Sequence, residues 1–188
     1  HPQQVLYKKI SLLKVNTNYG FLFANGTSLR FLKKFYENKT GRIGSLQLFA
    51  RLVLSYLVNG KLYKDIVRKD LFHVKINHSL PISHYSASIF CSTLQKIPLG
   101  LSLFPSHAHD NDFYFLSITS PPHQLPFKIP SFILHAKKPT GPDKILLKCR
   151  KALISSPTDH AYTLDGEIYS SKEALSVSHG PQVKFMIY

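Results

Sequence analysis

Leu71-Phe72-His73-Val74-Lys75-Ile76-Asn77 is the stretch on which the fold turns. Phe72, Val74 and Ile76 alternate with Leu71, His73, Lys75 and Asn77, the period of two that belongs to a strand with one buried face. Upstream of it the apolar spacing is helical. Leu29, Leu32, Phe35 and Tyr36 form one stripe behind a Thr27 or Ser28 cap. Ile43, Leu46, Phe49, Leu52, Val53, Tyr56 and Leu57 form another, ended by Asn59-Gly60. Further upstream, Val5 to Val15 reads as one or two strands and Tyr19 to Ala24 as a short one closed by Asn25-Gly26.

Downstream the strand signal persists. Tyr85 to Leu94 is a β-rich run, and further candidates lie at Leu99 to Phe104, Phe113 to Ile118, Phe132 to His135, Lys144 to Lys148, His160 to Leu164, Ala174 to Val177 and Val183 to Ile187. Pro, Gly, Asn and Asp separate them at intervals of about 8–12 residues, which argues for a sandwich. Seven of the 12 prolines fall between Pro105 and Pro142 and mark loops there. The expected fold is therefore mainly β, a β-sandwich with one inserted helix pair.

Composition narrows the function classes. With 188 residues, 44% apolar and 18% charged, the chain can bury a core but is too short for two full-sized domains. Cys91 and Cys149 allow at most one bridge, which excludes a disulfide scaffold and suits free buried thiols. No apolar run reaches the roughly 18 residues a membrane span needs. The sequence opens at His1 without an initiator Met, so a processed product or a piece of a longer protein is expected.

Charge is the anomaly. The chain has 24 Lys+Arg against 10 Asp+Glu, a net +14, and residues 1–70 hold 13 of those cations with only Glu37, Asp65 and Asp70 against them. Such a surface attracts phosphate, whether of nucleic acid, nucleotide or anionic lipid, or is simply a solvated basic face.

Two segments concentrate chemistry. In Leu164-Asp165-Gly166-Glu167 a glycine between two acids lets the backbone turn sharply, so both carboxylates can face one cleft. The same residues also suit a plain Asp-Gly hairpin turn. In Phe104-Pro105-Ser106-His107-Ala108-His109-Asp110-Asn111-Asp112-Phe113-Tyr114-Phe115, His107, His109, Asp110 and Asp112 suit Zn²⁺ or Mn²⁺, Asp112 with carbonyls suits Mg²⁺ or Ca²⁺, and an Asp/Asn turn suits the run equally. There is no phosphate-binding P-loop, Gly-x-Gly-x-x-Gly, Gly-x-Ser-x-Gly or Cys-x-x-Cys pattern.

Three segments taken in order resemble the C-terminal half of the diacylglycerol kinase and sphingosine kinase superfamily of lipid kinases, including its bacterial branch. Phe23-Ala24-Asn25-Gly26 with Leu29 to Tyr36 and Lys39-Thr40-Gly41-Arg42-Ile43-Gly44-Ser45-Leu46 resembles the family's entry strand, glycine turn and helix pair. Leu101 to Pro105 followed by Ala108 to Phe115 is similar to its Phe-Pro-x-Ala…Asn-Asp-Gly-Leu-Leu segment, although Phe113 stands where the family has glycine. Leu164-Asp165-Gly166-Glu167 resembles its Asp-Gly-Glu signature.

The resemblance implies a phosphotransferase of lipid metabolism and phospholipid synthesis, of which this chain is the C-terminal β-sandwich domain (NAD kinase/diacylglycerol kinase-like). An absent N-terminal domain would bind ATP, and this chain alone would be inactive. Glu167 would accept the proton of the lipid hydroxyl, with Asp165 beside it, and the acceptor would be diacylglycerol or a sphingoid-type lipid. A structural Mg²⁺ would bind the Asp112 side chain and the carbonyls of His109 and Tyr114. The implied partners are the lipid substrate, an anionic membrane surface and the N-terminal ATP-binding domain, with a homodimer allowed and no nucleic acid. The implied location is cytoplasmic, peripheral at the inner face of the membrane. Two other readings stay open: a basic β-domain that binds nucleic acid, and a non-catalytic regulatory remnant.

Overall fold

The computed structural model describes residues 6–37, 42–94, 104–105, 112–128, 140–157 and 160–187. The expected strands at Leu99 to Phe104 (except Phe104 itself) and Phe132 to His135 lie outside them, as do His107, His109 and Asp110. The strands are β1 (Leu6–Val15), β2 (Asn18–Gly20), β3 (Leu22–Gly26), β4 (Asp70–Ile76), β5 (Ile82–Ser86), β6 (Ser88–Ser92), β7 (Phe113–Ile118), β8 (Thr140–Gly141), β9 (Lys144–Cys149), β10 (Lys151–Ser155), β11 (Tyr162–Leu164), β12 (Glu167–Tyr169) and β13 (Leu175–Ile187). Helices α1 (Thr27–Glu37), α2 (Arg42–Leu57) and α3 (Lys61–Ile66) all fall between β3 and β4.

Two antiparallel sheets face each other. One runs β2-β1-β13-β10-β4-β5 and the other β12-β11-β3-β6-β7-β9-β8. Alternate residues fill the space between them: Leu13 and Val15, Phe72 and Val74, Ile89 and Cys91, Phe113 and Phe115, Ala152 and Ile154, Leu175 and Val177. Their i, i+2 spacing is the sequence period made physical.

Within the second sheet, β7 is buried on both faces. All six of its residues, Phe-Tyr-Phe-Leu-Ser-Ile, are buried. Phe113 and Phe115 enter the sandwich, while Tyr114, Leu116 and Ile118 point outward into a second core with Tyr63, Ile66, Leu125 and Leu146. The helices are thus a third layer, packed on the outer face of the second sheet together with a 3₁₀ turn, Pro122–Gln124, that continues as helix through residue 128.

Three details depart from the sequence expectation. Tyr85 to Leu94 is two strands in different sheets, joined by fully buried Ala87, whose N–H bonds the Ile118 carbonyl. Conversely, Ala174 to Val177 and Val183 to Ile187 belong to one long strand, β13, paired with β1. Pro181 is tolerated there because pairing is irregular between Ser11 and Leu13, and Gly180 leaves room for the Leu12 carbonyl, 3.1 Å from where its Cβ would stand. The helix pair is in fact three helices, since α3 follows Gly60 immediately.

Candidate functional site

The Asp-Gly turn joins β11 to β12. Asp165 and Gly166 both have positive φ, 52° and 92°, and Leu164 pairs with Glu167 across them, so this is a two-residue hairpin of the mirror-image type. Glycine meets that requirement without strain, and aspartate is among the few other residues that tolerate it.

Each of the three signature residues is held by a different element. Asp165 reaches back to the start of β3, where its carboxylate accepts hydrogen bonds from the Phe21 N–H (2.9 and 3.0 Å) and the Leu22 N–H (2.8 Å). Its own N–H donates to the Leu22 carbonyl at 2.9 Å. Gly20 makes the approach feasible, because a Cβ there would stand 2.6 Å from Asp165 Oδ2. The Gly166 carbonyl accepts from the Tyr36 hydroxyl at the end of α1, 2.9 Å away. Glu167 accepts from the Tyr169 hydroxyl at 3.0 Å.

Tyr169 is itself anchored. Its ring stacks on Tyr162 at 5.5 Å, Tyr162 packs on Phe23 at 5.6 Å, and the Tyr162 hydroxyl accepts from the Asn18 amide at 2.8 Å. The hydrogen bond to the Glu167 carboxylate raises the Tyr169 phenol above its ordinary value, since ionising it would set two anions side by side. Glu167 therefore has a fixed donor on one oxygen and an exposed face on an edge strand. Tyr36 and Tyr169 escaped the sequence reading; the one signal was the i, i+2 spacing of Glu167 and Tyr169, which puts both on one face of a strand.

The second expected site is elsewhere. Asp112 precedes β7, four strand spacings from β12, or about 19 Å across the sheet at about 4.8 Å each. Its carboxylate is ion-paired with Lys148 and Arg150, each at 3.3 Å. Tyr114 lies inside β7, paired with Ser92 on one side and Lys148 on the other, which commits its carbonyl to the sheet. A Mg²⁺ ion at Asp112 would have to displace both of these cations. His109, the remaining implied ligand, lies outside the described residues, among which no cluster of three metal-ligating side chains occurs.

The cysteines are core residues. Both are buried and free. Burial pushes the Cys149 thiol up to about 12 and the Cys91 thiol well above its usual value, leaving almost no thiolate at neutral pH.

Two facing antiparallel sheets with helices over the outer face of one make a diacylglycerol-kinase-like fold. Solved structures from Bacillus anthracis str. Sterne, each described as a diacylglycerol kinase and two of them by provisional assignment, share this fold. One matches with a TM-score of 0.63 at 12% identity over 93% of this chain, another with 0.62 at 13% over 93%, and a third with 0.56 at 9% over 93%. The chain spans about half the length of these structures: 54%, 55% and 51%. At such identities the likeness is one of fold. No family model and no curated protein matches the sequence.

Proposed function

We propose that the chain is the acceptor-side domain of an ATP-dependent lipid kinase, and that Glu167 is the proton acceptor for the lipid hydroxyl. The observation that carries this reading is the unequal treatment of the two carboxylates. Asp165 spends its oxygens on backbone amides, whereas Glu167 is held by one phenol and otherwise presented to solvent.

An exposed carboxylate is a weak base, and it gains strength as a catalyst when a second surface excludes water around it. The matched structures are about twice as long as this chain, so a facing ATP-binding domain is the natural source of that surface. In the complete enzyme Glu167 takes the proton of the acceptor hydroxyl as its oxygen attacks the γ-phosphorus, and ADP leaves. Tyr169 holds the carboxylate in place, and Asp165 and Tyr36 hold the turn. Positioning and charge compensation supply most of the acceleration, as in other phosphoryl transfers. By itself this chain carries no nucleotide loop and is inactive on this reading.

The test is transfer of label from γ-labelled ATP to diacylglycerol or sphingosine in detergent micelles, using the full-length protein that contains this chain. Labelled lipid phosphate is the expected product. A folded full-length protein that labels neither lipid would overturn the reading.

A further inference from the structure

The corner between α2 and α3 brings aromatic rings together. The Gly60 N–H donates to the Ser55 carbonyl at 2.6 Å, and the Ser55 hydroxyl accepts from the Tyr63 N–H at 2.9 Å. A Cβ at Gly60 would stand 2.7 Å from Ser55 Oγ, so glycine lets the chain turn back this tightly. The Tyr56 and Tyr63 rings then meet at 4.9 Å, inclined at 59°. Their hydroxyls donate to carbonyls of the 122–128 turn, Tyr63 to Pro122 and Tyr56 to His123 at 3.1 Å. That turn also carries Phe127, 72% exposed and edge-on to Tyr56 at 5.9 Å. With both hydroxyls committed, these residues present ring surface.

The three rings line a cleft of about 810 Å³, a size usual for small-molecule sites, together with Lys64, Arg68 and Lys69. The acids nearby do not cancel those cations. Asp70 is shared between Arg30 and Arg68, the latter at 3.5 Å, and Asp143 is paired with Lys128 at 2.8 Å. Aliphatic lining is limited among the described residues to Leu57, Val67 and Pro122. Leu57 is 70% exposed and Val53 43%, which departs from the single buried stripe read in the sequence, where both counted as core positions. An acyl chain therefore finds little wall here, whereas a flat ring finds three partners and an anion finds three cations.

We infer that this cleft binds a soluble aromatic phosphate, its ring against Tyr56 and Phe127 and its phosphate on Lys64, Arg68 and Lys69. Ring-on-ring contact selects the flat group, and the planar fork of Arg68 matches phosphate oxygens two at a time. A nucleoside monophosphate and a phosphotyrosine side chain both carry this chemistry. Asn59, at the rim, adds an amide that can donate to and accept from a polar ring edge. The inference does not depend on the lipid-kinase reading and involves no phosphoryl transfer. The strand leading to the Pro122–His123 wall, β7, stands four strand spacings from β12, which carries Glu167.

Isothermal titration of this chain at low salt with phenyl phosphate, inorganic phosphate, AMP and a phosphotyrosine peptide tests it. Phenyl phosphate is expected to bind at least about tenfold more tightly than inorganic phosphate, because ring contact adds to charge. Phe127→Ala is expected to remove most of that advantage while leaving inorganic phosphate unchanged. Lys64→Ala/Arg68→Ala/Lys69→Ala is expected to weaken both by more than about tenfold. The control Lys75→Ala/Lys151→Ala/Lys184→Ala removes equal charge from exposed strand positions of the other sheet and is expected to lose less than about threefold. Thermal melts matched to the unsubstituted chain show that each variant folds. The tighter of AMP and the phosphotyrosine peptide names the source of the ring, and either one supports the inference. Equal affinities for phenyl and inorganic phosphate, or equal losses in the two charge variants, would mean diffuse attraction. Either result overturns the inference, as does absence of phenyl phosphate binding at about 10 mM, or binding of AMP and peptide no tighter than that of inorganic phosphate. Lipid labelling by the full-length protein alongside any of these failures would sink the cleft and leave the kinase reading standing.

Discussion

Two carboxylates flank Gly166, and their surroundings give them unlike roles. Asp165 is structural: it accepts three short contacts from the amides of Phe21 and Leu22, so the β11–β12 hairpin is clipped to the start of β3. Hydrogen bonds to a charged group contribute about 1.5–3 kcal/mol, less where water competes, as it does at this exposed turn. Asp165→Ala is therefore expected to lower unfolding free energy by about 1–3 kcal/mol, partly through alanine's strain at positive φ, and Asp165→Asn by less, because asparagine keeps an acceptor and tolerates that φ. Urea unfolding measures both, and equal stabilities for all three proteins would contradict this assignment. The sequence showed that the turn existed but not which acid was free, because the amides that claim Asp165 lie more than 140 residues away.

At the scale of elements, β5 and β7 meet through a polar relay where the two sheets approach. Ser86 donates to the Ile118 carbonyl, Ser117 donates to Ser86 at 2.9 Å, and this leaves Ser117 to accept from His84 Nε2 at 2.7 Å. A hydrogen on His84 Nε2 satisfies that contact, and its buried Nδ1 has no partner among the described residues. Burial lowers its proton affinity below the usual value of 6.5. Between that lowered value and pH 6.5 the unfolded chain binds more protons than the folded one, so stability rises with pH there. The contribution is whole above pH 6.5 and is lost as pH falls through it. The melting temperature is expected to drop between about pH 7.5 and about pH 5.5, and to drop less in His84→Gln, which keeps a donor and cannot titrate. Identical drops measured by calorimetry would show that other groups set the pH dependence.

These elements also show what local pattern can reveal. Alternation in Leu71 to Asn77 was legible because one face meets the core and the other meets water, and β4 has that burial. In Tyr85 to Leu94 the apolar run continues through a change of sheet, since Ala87 is buried at the corner itself. The role of Pro181 depends on its neighbour across the ladder, which no local window contains. Helix α2 was recognisable as a helix, but an all-round apolar sequence does not say which face is covered.

At the largest scale the described residues form three layers: the six-stranded sheet, the seven-stranded sheet and the helices. Its excess charge of +14 is concentrated in the first third, which includes the helix layer. The Asp-Gly-Glu turn lies at the β12 edge of the middle sheet, touched by α1 through Tyr36. Among the described residues no helix is long and apolar enough to cross a membrane. The central claim is that Glu167 accepts the substrate proton once an ATP-binding domain faces it. Its most direct test is the rate of lipid phosphorylation by the full-length protein with Glu167 replaced by Gln, which keeps the shape and the bond from Tyr169 while removing the base. The account predicts a fall in kcat of about 10²–10⁴-fold with an unchanged melting temperature; turnover within a few-fold of the unsubstituted protein would contradict it.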